Sequence, residues 1–172
     1  PAFDWEAGSL LHRAGDLAGA GSALGAALRL DPRNVRLRLA LSAVERDAGD
    51  LPAAIAGVRE AVRLDPAFGD GWNALGVLLS AQGAPGEAAQ AFERALRLNP
   101  DDPDSLFGLG EAHMTAGRVG DAIAPLDKLV RRNPAFPGAE ALLQKARAAA
   151  GPPPPGALHL ALIRVATRAE AE

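Results

Sequence analysis

The chain contains no cysteine. That absence excludes disulfides, thiolate metal sites and a cysteine nucleophile, and it leaves the redox compartment open. An excess of positive charge is also missing: 18 Lys and Arg stand against 21 Asp and Glu, a net charge of −3. Such a balance provides no electrostatic footprint for nucleic acid or an anionic membrane. No apolar run approaches the roughly 20 residues of a membrane span, and no secretory signal pattern is visible. The expectation is a soluble protein. Heavy use of Ala, Gly, Arg and Pro points to a bacterial source, with cytoplasm or periplasm both open. Pro1 rather than methionine leads the chain, which reads as a piece of a longer gene product.

Signatures of catalysis are absent too. There is no HExxH, phosphate loop or nucleophile elbow. The three histidines, His12, His113 and His159, lie far apart in the chain, and no two of them stand at i+4 to make a metal pair. Glu111 lies two residues from His113, so the two point to different helix faces. A packed, hydrogen-bonded core histidine is the expectation at position 113. No cofactor, no metal and no enzyme activity are expected within residues 1–150.

What is present is a repeat. Asp31-Pro32, Asp65-Pro66, Asn99-Pro100 and Asn133-Pro134 recur every 34 residues. Gly15, Gly49, Gly83 and Gly117 keep the same step. So do Ala20, Ala54, Ala88 and Ala122, and the larger Leu24, Val58, Phe92 and Leu126. Four coincident ladders define repeating units that stack on one another. Within Gly69–Asp102, Trp72, Leu75, Gly76 and Leu79 share one face of a first helix. Gly83 ends it, Pro85 suits the first turn of a second helix, and Asn99-Pro100 ends that one. The units are 1–34, 35–68, 69–102 and 103–136. Their helices are expected near 4–14 and 17–30, 35–47 and 51–64, and 104–116 and 119–132. Pro125, inside the last of these, predicts a mild bend.

The third unit resembles the tetratricopeptide repeat, with W-x2-L-G, A-x3-F and a closing proline at Trp72, Leu75, Gly76, Ala88, Phe92, Ala95 and Pro100. Leu79 replaces the usual tyrosine, and Asp4 and Arg38 occupy the tryptophan position in the first two units. The resemblance implies an all-α, right-handed superhelical solenoid of four helix-turn-helix repeats. Gly8, Gly76 and Gly110, with Ser42 as the small substitute, are read as sites of close helix approach. Trp72 is expected to be buried between paired helices. Residues 137–150 predict a capping helix, started by Pro137 and ended by Gly151, with Leu142 and Leu143 inward and Gln144, Lys145 and Arg147 outward.

Residues 151–156 form a Pro-rich linker, in which no helix is possible. Beyond it, Leu158–Val165 reads as a short strand and Thr167-x-x-Glu170 as a capping box. This opening is similar to the start of parvulin-type prolyl isomerases, with Ile163 and Val165 in place and Leu162 where the family has its active-site histidine. Residues 157–172 are therefore expected to be the start of a truncated second domain, or a tail.

Function is then expected from surface shape. In the resembled family the first helix of each unit lines a concave groove. The groove residues this implies are Trp5, Arg13, Arg36, Leu39, Arg46, Asn73, Val77, Phe107 and Glu111. Basic members gather in the first half and acidic ones in the second, although ordinary solvated faces are the alternative for the charges. The family's clamp for a C-terminal carboxylate uses Lys, Asn and Arg, and its sites here carry Trp5, Ser9, Ala40, Asp70 and Ala74. The expected function is a scaffold that binds a protein or peptide partner. The alternative is an accessory array of a larger enzyme, a peptidyl-prolyl isomerase, with its catalytic domain beyond residue 172. End-to-end self-association is a further expectation.

Overall fold

The structure is a computed structural model and describes residues 2–151, with side chains from Trp5 onward. The strand and capping box expected within 157–172 lie outside the described residues. Within them the chain is all-helical: α1 Ala2–Arg13, α2 Leu17–Leu30, α3 Val35–Asp47, α4 Leu51–Leu64, α5 Gly69–Ala81, α6 Pro85–Leu98, α7 Pro103–Thr115, α8 Val119–Arg132 and α9 Ala139–Ala150.

Local chemistry sets the helix ends. The carboxylates of Asp16, Asp50 and Asp102 and the amide oxygen of Asn34 each accept a backbone N–H three residues on, at 2.8–3.1 Å. These caps satisfy donors that a helix leaves orphaned. Pro52, Pro85 and Pro103 occupy first turns, where a missing N–H costs nothing. Gly83 has φ +81° in the turn after α5, and Gly15, Gly49 and Gly117 share that left-handed conformation. It lets the chain reverse within two residues.

Consecutive helices pack as antiparallel neighbours, and each pair packs on the next. The core is a seam of successive apolar clusters built on the repeated positions. Ala20, Ala54, Ala88 and Ala122 are fully buried, as are Leu24, Val58, Phe92 and Leu126. Small residues face the large ones. A Cβ on Gly76 would meet the Phe92 ring at 2.6 Å, one on Gly8 would meet Leu24 at 2.5 Å and one on Gly110 would meet Leu126 at 2.5 Å. At Ser42 the exchange runs the other way. Its extra atoms are accommodated by Gly57 across the pair, where a Cβ would collide with the Ser42 hydroxyl.

Four expectations need correction. Trp72 is half-buried, not enclosed between paired helices. It packs on the rim of the central cluster, and its Nε1 donates to the Pro66 carbonyl at 3.0 Å. Phe92 takes the enclosed position instead, because Gly76 and Gly108 leave room for its ring. Arg38 stands one repeat before Trp72 and performs the same task, donating to the Pro32 carbonyl at 2.7 Å. His113 is buried, but its Nδ1 has no hydrogen-bond partner among the described residues. Pro137 does not start α9. Gly138, at φ +76°, turns the chain first, and the helix begins at Ala139. Phe107, the fourth case, bears on the groove and is treated below. Pro125 lies inside α8, which runs unbroken to Arg132.

The α9 helix packs on α8 and α7. Ala139, Leu143 and Ala146 are buried against α7 and α8, Leu142 is half-buried, and Gln144, Lys145 and Arg147 face water.

Candidate functional site

The stacking defines two faces. The first helices touch one another in sequence, α1 with α3, α3 with α5, α5 with α7 and α7 with α9. The second helices, α2, α4, α6 and α8, make no such contact with one another among the described residues. Helices that approach each other lie on the inside of a curve, and those that spread lie outside. The inner face therefore belongs to α1, α3, α5 and α7.

Two cavities open there, side by side. The first, about 160 Å³, lies between α3 and α5. Leu39, Ser42, Ala43 and Arg46 form one wall, Asn73, Ala74, Val77 and Leu78 the other, and Val58 the floor. Val77 is 44% exposed, although its neighbour Leu78 is buried. Leu39 packs against the central core with part of its surface free. Arg46 at the end of the cavity is engaged by Asp47 at 2.8 Å, and Asp47 also meets His12 Nε2 at 2.7 Å across the gap to α1. Those hydrogen bonds, Arg46 first, hold the Asp47 carboxyl below its usual range.

The second cavity, about 150 Å³, lies between α5 and α7 and shares Asn73 with the first. Asp70, Asp102, Asp104 and Asn99 supply its polar wall, with Gly69 and Ala95. Asn73 Nδ2 donates to Ser105 Oγ at 2.8 Å and reaches Asp102 Oδ2 at 3.5 Å. This pins the amide that divides the two cavities.

Of the nine groove residues named from the sequence, Leu39, Arg46, Asn73 and Val77 surround the first cavity. Trp5, 47% exposed, stands apart on α1, and Arg13 and Arg36 are exposed outside both cavities. Phe107 does not project as a free anchor. It is half-buried, with its ring 5.3 Å from that of Phe136 in the turn before α9. Glu111 is exposed on α7, and the partial burial of its carboxyl raises its pKa.

Sequence reasoning missed two features. Asp102 was hidden inside a capping motif, Asp102-Pro103-Asp104-Ser105, whose structural role masked its place on a cavity wall. A third cavity, about 240 Å³, lies on the side of the second helices, where Trp72 lines it with Arg59, Glu87, Gln90 and Arg94. There Arg94 stands 5.8 Å over the Trp72 ring and Arg59 pairs with Glu87 at 3.0 Å. No group of His, Asp and Glu able to hold a metal stands together among the described residues.

Comparison with known proteins agrees with this architecture. A family model described as a tetratricopeptide repeat matches residues 2–68 and 73–138. The chain belongs to the tetratricopeptide-repeat family. No curated protein matches it by sequence. Among solved structures, MamA superposes with a TM-score of 0.79 at 27% identity, over 87% of this chain and 82% of MamA. YrrB, described as a TPR protein with an unusual peptide-binding site, gives 0.73 at 21% identity, over 84% and 75%. PilF of Pseudomonas aeruginosa gives 0.77 at 22% identity, over 84% and 66%. These neighbours share the superhelical solenoid of tetratricopeptide repeats. Proteins of the family bind protein or peptide partners and are in general scaffolds rather than enzymes. Among the described residues no helix is long and apolar enough to cross a membrane.

Proposed function

We propose that this array is a scaffold that receives a segment of a partner protein on its inner face, in the cleft between α3 and α5. The observation that carries the reading is Val77. It points into an apolar cavity at 44% exposure, on a helix whose adjacent Leu78 and Leu79 are both buried. Covering such a side chain gains roughly 1.5–3 kcal/mol. Core packing does not require Val77 there, because Phe92 and the buried alanines already fill the seam between the pairs. Leu39 adds an apolar group on the facing wall, and the pinned Asn73 amide offers a polar group at the edge of the cavity. An apolar pocket with a few fixed polar groups is the usual form of a binding site.

The test is a random peptide library displayed on phage and selected against the folded array. Peptides that bind wild type should bind Val77→Glu at least tenfold more weakly, the effect of removing about 1.4 kcal/mol. Gln90→Glu, on the side of the second helices, serves as control and should leave binding unchanged. Peptides that bind Val77→Glu as well as wild type would place recognition elsewhere.

A further inference from the structure

We propose that the segment received in the α3–α5 cleft carries a lysine or arginine that seats in the neighbouring α5–α7 cavity, against Asp70 and Asp104. This inference rests on the inner-face reading above and adds the chemistry of the partner. The two cavities adjoin at Asn73, which lines both. One is apolar and the other carries three carboxylates.

The charges along the inner face differ in whether they are already matched. At the α3 end, Arg46 is held by Asp47, so the cation there is neutralised within the array. At the α5–α7 end the reverse holds. None of the ion pairs among the described residues uses Asp70, Asp102 or Asp104. The nearby Lys128 and Arg132 both turn to Asp101 instead. Asp102 is occupied as the cap of α7. The positive N-termini of α5 and α7, about half an elementary charge each, offset part of the remainder. Asp70 and Asp104 still leave the cavity net negative. The groove thus offers uncompensated negative charge beside its apolar cleft, and a cation on the partner complements it.

Spacing narrows the partner further. Adjacent packed helices lie about 8–10 Å apart, which an extended chain spans in about three residues. A basic residue two to four positions from an aliphatic or aromatic anchor fits both cavities together.

The phage selection described above supplies the probes, and two results decide the matter. The recovered peptides should be enriched in Lys or Arg at that spacing from an apolar residue. By titration calorimetry, the double variant Asp70→Asn, Asp104→Asn should bind them about tenfold more weakly, as expected for two partly screened ion pairs. Its affinity should also depend less on salt than that of wild type. Circular dichroism first confirms that both variants fold. Peptides that need Val77 but show no basic residue, and bind the double variant as well as wild type, would overturn this inference and leave the inner-face reading standing. Peptides indifferent to Val77→Glu, or none at all, would overturn both. If the array is a dimer by size-exclusion chromatography and Val77→Glu makes it monomeric, the occupant is a second copy, and the inference is overturned as well.

Discussion

At the residue scale, the seam is made of complementary pairs, and the pairs predict where substitutions cost most. Phe92 is buried between Gly76 and Gly108, so Phe92→Ala should lose about 3–5 kcal/mol in chemical denaturation. Trp72 is half-buried, with Arg94 over its ring, and Trp72→Ala should lose less than Phe92→Ala. An equal or larger loss at Trp72 would mean that the rim, not the seam, carries the stability. His113 gives a prediction of another kind. Burial, and secondarily the Arg118 charge, lowers its pKa from the usual 6.5. The native protein therefore keeps the ring neutral while the unfolded chain takes up a proton below about pH 6.5. Stability from this group is present above that pH and is lost as pH falls toward the lowered value. The melting temperature of wild type should drop more between pH 7 and pH 5.5 than that of His113→Gln. Parallel curves would remove His113 as the cause.

At the scale of the element, most of the fold was legible in the sequence, because the repeat writes the same instruction several times. Helices α2, α3, α4 and α8 occupy the expected ranges, and each follows from a cap, a glycine or a proline at a fixed step. The departures have physical reasons. The start of α9 was misread because Pro137 resembles a first-turn proline, whereas Gly138 takes the left-handed turn that reorients the chain. Trp72 was misread because the repeat pattern it matches implies a core tryptophan, although the ring of Phe92 already fills the space left by two glycines. Caps also offer a direct test. Asp50 accepts the Ala53 N–H at 3.0 Å at an exposed helix start. Asp50→Ala should cost about 1 kcal/mol. A change within error would show that water replaces the carboxylate without penalty.

At the scale of the molecule, the groove was only partly readable. The family resemblance, laid on the 34-residue register, assigns a residue to the first helix and its inward face, which is how Leu39, Arg46, Asn73 and Val77 were found. It does not reveal what a later segment lays over that face, so the pairing of Phe107 with Phe136 was invisible. Nor does it show which charges are neutralised locally, as Arg46 is by Asp47. The proposed recognition between α3 and α5, on the face where the first helices converge, is a spatial claim. A titration of the isotope-labelled array with a library-derived peptide, followed by amide chemical shifts, tests it most directly. The largest shifts should fall at Leu39, Ala43, Asn73 and Val77. Shifts concentrated instead at Arg59, Trp72, Gln90 and Arg94, around the cavity on the opposite face, would contradict it.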